Sequence, residues 1–437
     1  MKVFLDTVGC RLNQSEIEKY ARQFRAAGHI LAGSLQEADM IVLNTCAVTA
    51  AASSDSRQKI RQAHKAGVKE IIVTGCMSTL AAQQTANIPG VTRVVPNAEK
   101  DSLVPDLLQI EINEYDIEPI IREPLPGSRS RTRAFIKVQD GCDNKCTFCV
   151  TTIARGPGRS RTAAEIITDI QAALQGGVKE VVLTGVHLGS WGQDFPVPAH
   201  LKALIQTILD QTDIPRLRVS SLEPWDLEAD FFDLWQDERL CRHLHLPLQS
   251  GSAATLRRMA RKTSPSSFAA LTAAARERIP DAAITTDIIA GFPGESRQEF
   301  EESCDFVREM QFARAHIFTY SPRQNTAAAS MPGQVQKAVR KARSAALREI
   351  TTTSAEAFQS RFLGRQVDVL WESAAPTGTD QWQLSGLTDN YLRVVANAPQ
   401  PLWNQITPVE LTACIPDGLQ ATLAALPDSI ILGGAYA

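Results

Sequence analysis

Three apolar runs punctuate the first hundred positions: KVFLDTV (2–8), ADMIVLN (38–44) and KEIIVTG (69–75). Between them lie stretches such as SEIEKYARQFRAAGH (15–29) and SDSRQKIRQAHKAG (54–67), where apolar residues return at helical spacing. Alternation of β-rich runs with amphipathic helices predicts βαβ units and a parallel sheet. A cysteine follows each run: Cys10, Cys46 and Cys76, separated by 36 and 30 residues. Those are the spacings of βαβ units of about 30 residues or more. Strand ends in such a sheet share one edge, where open α/β sheets bind ligands, so three cysteines distant in sequence are placed to converge.

An acidic stretch (111–119) and a Pro/Gly/Ser/Arg-rich one (122–133) then read as a linker. Beyond it the alternation resumes, with strands expected near AFIKVQ, EVVLTG, RLRVSS, HLHLPL, ITTDIIAG and AHIFTY and helices between them. Six successive β/α units predict a partial barrel with its active face at the strand C-termini. From about residue 360 the pattern becomes short strands and turns (QVDVLWE, WQLSGLT, YLRVVAN, TPVELTACI), as in a small β-barrel.

At 437 residues the chain has room for about three domains. A charged fraction of 21% with no long apolar run argues for a globular chain and against a membrane span. The start, MKVFLDTVGC, is too short and too polar for a secretory signal, so the nine cysteines read as intracellular, cytoplasmic thiols. The net charge of −3 confines any nucleic-acid surface to patches. Residues 122–161 carry nine Arg/Lys against three acids, 334–350 is a basic helix, and LRRMARK (256–262) adds four more. Residues 361–437 hold three arginines against seven acids, a poor footprint for phosphate. Any nucleic-acid affinity is therefore expected from the linker, ARGPGRSR and the basic helix, with Trp371, Trp382, Tyr391 and Trp403 serving as stacking surfaces or aromatic core.

The stretch DGCDNKCTFCV (140–150) puts Cys142, Cys146 and Cys149 on one loop, after the first barrel strand. An odd number cannot pair internally, and a structural zinc site wants four ligands. A [4Fe–4S] cube held by three thiolates keeps one iron free to chelate S-adenosylmethionine, whose one-electron cleavage gives an adenosyl radical. A zinc knuckle is the alternative. Cys241, Cys304 and Cys414 have no ligand-like spacing and are expected to be buried thiols.

Loop spacing, its place after a strand and Phe148 before the last cysteine resemble the radical SAM superfamily. With TVGCRLNQSE, NTCAVTA, TGCM, IARGPGRSR, LTGVHLGSWG, SSLEP, HLPLQSGS, TTDIIAGFPGE, YSPR and GLTDNYLRV, the chain resembles the methylthiotransferase branch over essentially its full length. The resemblance implies a Rossmann-like parallel-sheet domain (1–112), a linker (113–130), a partial (β/α)6 radical SAM barrel (131–358) and a TRAM-like β-barrel (359–437). It further implies a second [4Fe–4S] cluster on Cys10, Cys46 and Cys76, whose open iron would carry the inserted sulfur. Gly185, His187, Ser220, Glu223, Gln249 and Ser250, in turns or at strand ends, become candidate cofactor contacts. In place of the usual Pro and aromatic after the third loop cysteine stand Thr152 and Ile153, and SPRQNTAAA lacks the usual Gly and Pro.

Within the family, GCRLNQ and LTGVHLGSWG are most similar to the branch acting on threonylcarbamoyladenosine beside the tRNA anticodon. The isopentenyladenosine branch usually has Met-Asn after the first cysteine, and the branch modifying a ribosomal-protein aspartate has Pro-Lys-Asn; here stand Arg11, Leu12 and Asn13. The expectation is a monomeric enzyme that places a methylthio group on carbon 2 of that base, with the anticodon stem-loop and an external electron donor as partners. Arg155, just past the cluster loop, is the candidate for binding the substrate carboxylate through its bidentate fork. Methylthiolation of isopentenyladenosine or of a protein stays open, as does a non-catalytic iron–sulfur electron carrier.

Overall fold

The computed structural model describes residues 1–110, 132–378, 381–416 and 418–424. The expected linker at 113–130 lies outside the described residues.

The N-terminal unit runs β1 (Lys2–Thr7), α1 (Arg11–Ala26), β2 (Ile30–Leu31), β3 (Met40–Thr45), α2 (Ala50–Lys65), β4 (Glu70–Gly75), α3 (Cys76–Leu80), α4 (Ala82–Ala86), β5 (Val91–Val95) and α5 (Leu103–Leu108). Its five strands form a parallel sheet in the order β2-β1-β3-β4-β5. The period of two along β3 divides its side chains between two cores. Met40 and Val42 pack with Ile17, Tyr20 and Phe24 on one face, and Ile41 and Leu43 with Ile60, Ala63 and Met77 on the other. Helix α1 starts earlier than the apolar spacing suggested, with Cys10 at the N-cap position in extended geometry (φ −83°, ψ 170°) and making no side-chain cap bond.

The barrel comprises β6 (Arg133–Lys137), β7 (Gln139–Asp140), α6 (Thr151–Arg155), β8 (Arg159–Ser160), α7 (Ala163–Gln175), β9 (Glu180–Thr184), α8 (Leu201–Gln211), β10 (Arg216–Val219), β11 (His243–His245), α9 (Ala253–Arg258), α10 (Pro265–Arg278), β12 (Ala283–Ala290), α11 (Arg297–Met310), β13 (Arg314–Thr319), α12 (Ala327–Ser330) and α13 (Lys337–Ser360). All six expected strands are present, as two parallel triplets, β6-β9-β10 and β11-β12-β13. Isolated parallel bridges Leu217–Leu240 and Ser221–His245 join the triplets. The chain between β10 and β11 differs from expectation: two 3-10 segments, Pro224–Asp226 and Ala229–Gln236, stand where a helix was expected. Asp226, Asp230 and Asp233 are poor helix formers and hold His187, Lys202 and Arg278 instead, while Phe231 meets Phe232 edge to face and Trp235 lies tilted against both. Helix α1 of the first unit packs against the edge strand β6.

A closed barrel follows, in the order β14-β15-β16-β18-β17. Its strands are β14 (Gln366–Gly378), β15 (Gln381–Thr388), β16 (Arg393–Ala398), β17 (Ile406–Ile415) and β18 (Gly418–Leu423). The last strand, GLQATL, was not among those expected; it closes the barrel through a parallel pairing with β16. Among the described residues no helix is long and apolar enough to cross a membrane.

Candidate active site

Cys10, Cys46 and Cys76 stand past the ends of β1, β3 and β4, three adjacent strands. Two glycines let those ends meet. Gly9 has φ +107°, and a β-carbon there would sit 2.6 Å from Cys46 Cβ and 2.8 Å from its Sγ. Gly75 has φ +96°, and its β-carbon would strike the Thr45 carbonyl; only glycine takes both conformation and contact without strain. All three thiols are free. Burial pushes the Cys46 thiol up to about 11, with Cys76 and Cys10 adding to the rise and Arg155 opposing it. Burial likewise raises Cys10, which stays open to solvent although densely surrounded. Such thiols stay protonated unless a metal takes them, and metal ligation deprotonates a thiol outright. Asn97 Nδ2 lies 3.8 Å from Cys76 Sγ and donates to the Ala154 carbonyl at 2.8 Å.

The second trio lies on the 140–150 loop, and β7 pairs with β8 across that loop and α6. Backbone N–H groups of Asn144 and Thr151 donate to Cys142 and Cys149 Sγ at 3.4 and 3.3 Å. Arg261 Nη1 donates to Cys146 Sγ at 3.7 Å. Burial nevertheless raises the Cys146 and Cys149 thiols, with the Arg261 and Thr151 donors opposing the rise. Among the described residues no three His, Cys, Asp or Glu side chains crowd a point as around a single ion. A cube of four irons makes no such demand, because each thiolate meets a different iron. The donor sets therefore fit two such cubes, each one ligand short.

The expected cofactor contacts divide. Gly185, His187 and Glu223 surround the cysteine loop. Gln139 Oε1 accepts the N–H groups of Val186 and His187 at 3.1 and 2.9 Å, and Gly185 rests on the same glutamine. His187 Nε2 pairs with Asp226 Oδ2 at 2.6 Å. Burial works against its charge, but hydrogen bonding to Asp226 and Cys142 outweighs that and raises it to about 10. Glu223 holds the Arg261 fork (Oε1–Nη1 3.1 Å), which stacks 4.3 Å over Trp225. Ser220 Oγ, just past β10, is buried with no partner among the described residues, as a ligand-binding hydroxyl would be. Gln249 has φ +72°; its N–H donates to the Asp287 carbonyl and its own carbonyl accepts from Ile289 N–H, both at 2.9 Å or less. Ser250 Oγ is used locally, accepting from Ser252 N–H at 3.2 Å.

Arg155 stands elsewhere than expected. Its guanidinium is buried and already held: Nη1 by Glu16 Oε1 (3.1 Å) and Asp140 Oδ1 (2.9 Å), Nη2 by Asn13 Oδ1 (2.6 Å). The fork is thus closed to a substrate carboxylate. Lys100 completes the cluster, 2.5 Å from Glu16 Oε1 and 2.7 Å from Asp140 Oδ2, and is fully buried. Burial alone would raise both acids, but Arg155 and Lys100 hold them below the usual carboxylate range. Asn13 donates to the Val8 and Thr45 carbonyls at 2.9 and 3.1 Å, tying Arg155 to the loops bearing Cys10 and Cys46. Arg155 ends α6, which begins two residues after Cys149, so it links the two trios. Asn13, Glu16, Lys100, Asp140 and Arg261 went unrecognised in the sequence. Asn13, Glu16, Asp140 and Arg261 lie within quoted stretches (TVGCRLNQSE, DGCDNKCTFCV and LRRMARK), while nothing marks Lys100.

Much of the basic character is structural. In α13, Arg340, Arg343 and Arg348 donate to the Tyr320, Glu295 and Ile317 carbonyls, leaving Lys337 and Lys341 exposed. In LRRMARK, Arg258 holds Glu299 and Arg261 holds Glu223. Trp371 is fully buried, and Tyr391 stacks on His243 with ring centroids 4.4 Å apart, so neither is free to receive a base. Trp403 remains 36% exposed. Cys241 and Cys304 are buried as expected, but Cys414 is exposed, on a strand that leaves the barrel core.

The Radical SAM superfamily matches residues 136–307, and residues 2–96 match an uncharacterized protein family, UPF0004. The threonylcarbamoyladenosine tRNA methylthiotransferase MtaB of Bacillus subtilis is 33% identical, over 94% of this chain and 93% of that protein. Its namesake in Thermotoga maritima is 35% identical, over 90% of each. The tRNA-2-methylthio-N(6)-dimethylallyladenosine synthase of Caldicellulosiruptor saccharolyticus is 35% identical, over 83% of this chain and 80% of that one. The solved radical S-adenosylmethionine methyltransferase TsrM of Kitasatospora setae shares the fold at 14% identity (TM-score 0.54, over 75% of this chain and 77% of that one). The chain is an enzyme that belongs to the methylthiotransferase family of the radical SAM superfamily.

Proposed function

We propose that the chain modifies tRNA, placing a methylthio group on carbon 2 of N6-threonylcarbamoyladenosine at position 37, with S-adenosylmethionine as both methyl donor and radical source. The observation that carries this reading is the pair of three-thiol sites, linked by one buried arginine. Each site would leave one iron of a [4Fe–4S] cube without a protein ligand, supplying S-adenosylmethionine cleavage at the barrel and a sulfur carrier at the N-terminal unit. Cys142, Cys146 and Cys149 would hold the first, with Arg261 and two backbone N–H groups steadying their thiolates. Cys10, Cys46 and Cys76 would hold the second, with solvent-open Cys10 toward the substrate side. Gly185, His187, Ser220, Glu223, Gln249 and Ser250 would line the S-adenosylmethionine pocket, the unpartnered Ser220 hydroxyl being the group most in want of a ligand.

The working units would be 1–112, 131–358 and 359–437, with 113–130 linking the first two. Activity requires an external electron donor, and a cytoplasmic setting with access to tRNA suits it. Relatives named for both threonylcarbamoyl- and dimethylallyladenosine match at similar identity, so the preference for the former rests on LTGVHLGSWG and on GCRLNQ, with Arg11, Leu12 and Asn13 after Cys10.

Nucleoside mass spectrometry of tRNA from cells with and without the gene tests the proposal. Loss of 2-methylthio-threonylcarbamoyladenosine, with its precursor retained, is the expected result. Loss of the isopentenyl counterpart instead would move the chain to the other tRNA branch, and unchanged tRNA would remove it from both.

A further inference from the structure

The wall of the barrel lumen contributed by β11, β12 and β13 is polar below and aromatic above. In the β12–β13 register Asp287 faces His316 and Ile289 faces Phe318. The alternate residues Ile288 and Ile317 are buried in the core with Leu347 of α13, so the first set faces the lumen. His245 joins it, 3.5 Å from Asp287 and with its ring 6.1 Å from that of His316. Phe318 is 42% exposed, a large aromatic surface left uncovered inside the barrel.

Arg11, the first residue of α1 and the neighbour of Cys10, reaches toward this wall. Its Nη2 donates to Tyr391 Oη at 2.7 Å, and Tyr391 stacks on His243. The charge of Arg11 bears on His243 and His316, whereas the arginine bearing most on the Cys10 thiol is Arg155. Four other arginines about the barrel each hold a carboxylate: Arg133 with Glu372, Arg155 with Glu16, Arg218 with Glu180, Arg261 with Glu223. Among the described residues Arg11 has none, and a phenol hydroxyl is its hydrogen-bond partner. A half-buried guanidinium with no counter-ion suits an incoming carboxylate, which it can grip with two parallel N–H bonds.

We propose that Arg11 receives the carboxylate of the amino-acid substituent on the substrate base, while Phe318 and Ile289 support the face of that base. This rests on the threonylcarbamoyladenosine reading above. It also moves the carboxylate-binding role from Arg155, whose fork is closed, to an arginine whose fork is open.

The test uses the full-length reconstituted protein without reductant, so that binding is read in the absence of turnover. Fluorescence anisotropy would give Kd for anticodon stem-loops bearing threonylcarbamoyladenosine, its carboxamide counterpart, or isopentenyladenosine. Wild type should prefer the carboxylate over the carboxamide by roughly 10- to 100-fold, the range for hydrogen bonds to a charged group. Arg11→Met should bring that ratio near one by weakening the carboxylate form alone, and Arg11→Lys should keep part of it. Phe318→Ala should weaken every form by roughly tenfold, as loss of a stacking face does. Iron content equal to wild type shows the neighbouring site intact; where Arg11→Met falls short, the Arg11→Lys ratio decides. An unchanged ratio in the Arg11 variants, or equal weakening of all three RNAs, overturns the assignment. A wild type that prefers the isopentenyl hairpin overturns the substrate reading instead.

Discussion

Without the Arg155 guanidinium, Glu16 and Asp140 would face each other in a buried space with only Lys100 and Lys137 to offset them. Removing one partner from a buried ion cluster costs about 3–5 kcal/mol. Arg155→Met should lower the stability of the iron-free protein by that order in a denaturant titration; a loss under about 1 kcal/mol would mean that the cluster relaxes into water. The same two carboxyls set an acid limb. Both are held below their unfolded values, so their contribution is fully present above the ordinary carboxylate range near pH 4. It is lost as pH falls from there toward the depressed folded values. Asp140→Asn should flatten that limb in melts followed from pH 6 to pH 2, at lower overall stability. Arg155 also shows what one sequence can and cannot give at this scale. Its type and place beside a cluster loop were legible, but Glu16 lies 139 residues away, and no local pattern reveals that a fork is already filled.

At the scale of elements, each cysteine trio depends on the elements that present it. Reconstituted protein should bind roughly eight irons, four per cube. Replacing Cys142, Cys146 and Cys149 by alanine should remove about half and abolish reductive cleavage of S-adenosylmethionine. Gly9→Ala makes a subtler separation. A β-carbon at φ +107° meeting Cys46 should push the β1 and β3 ends apart and take iron from the N-terminal site alone. S-adenosylmethionine cleavage should then persist while methylthiolation falls at least tenfold; full iron with full methylthiolation would show that those ends adapt. Strands were readable here because buried parallel strands are written as continuous apolar runs, β3 with all six residues buried. Strand β18 was missed because GLQATL has one large apolar residue at each end and a polar middle, and gains its identity only by pairing with β16 and β17. The 3-10 chain after β10 was misjudged because helix was inferred from the βα rhythm rather than from its own residues.

For the whole molecule, three units meet at Tyr391. It belongs to the C-terminal barrel, stacks on His243 of the radical SAM barrel and accepts from Arg11 of the N-terminal unit. Arg133 and Arg218 also lie over its ring, at 5.9 and 5.0 Å. Tyr391→Ala should cost about 3 kcal/mol, the low end for losing a packed aromatic, and split one calorimetric transition into two as the C-terminal barrel uncouples. A single transition with unchanged midpoint would show that Arg242–Asp389 and Arg133–Glu372 hold the unit without it. None of this junction was legible in the sequence, where Tyr391 reads as one more aromatic on a strand. A different contact governs the chemistry. Helix α3 opens at Cys76, α6 follows Cys149, and the two pack side by side, pinned by the Asn97 bond to Ala154. Under the proposed reading they act as a fixed gauge between a workbench that makes the radical and one that delivers the sulfur. With that contact held by Asn97, a base seated for the first operation would lie in reach of the second. One docking of the stem-loop then serves both, and the tRNA need not let go between them.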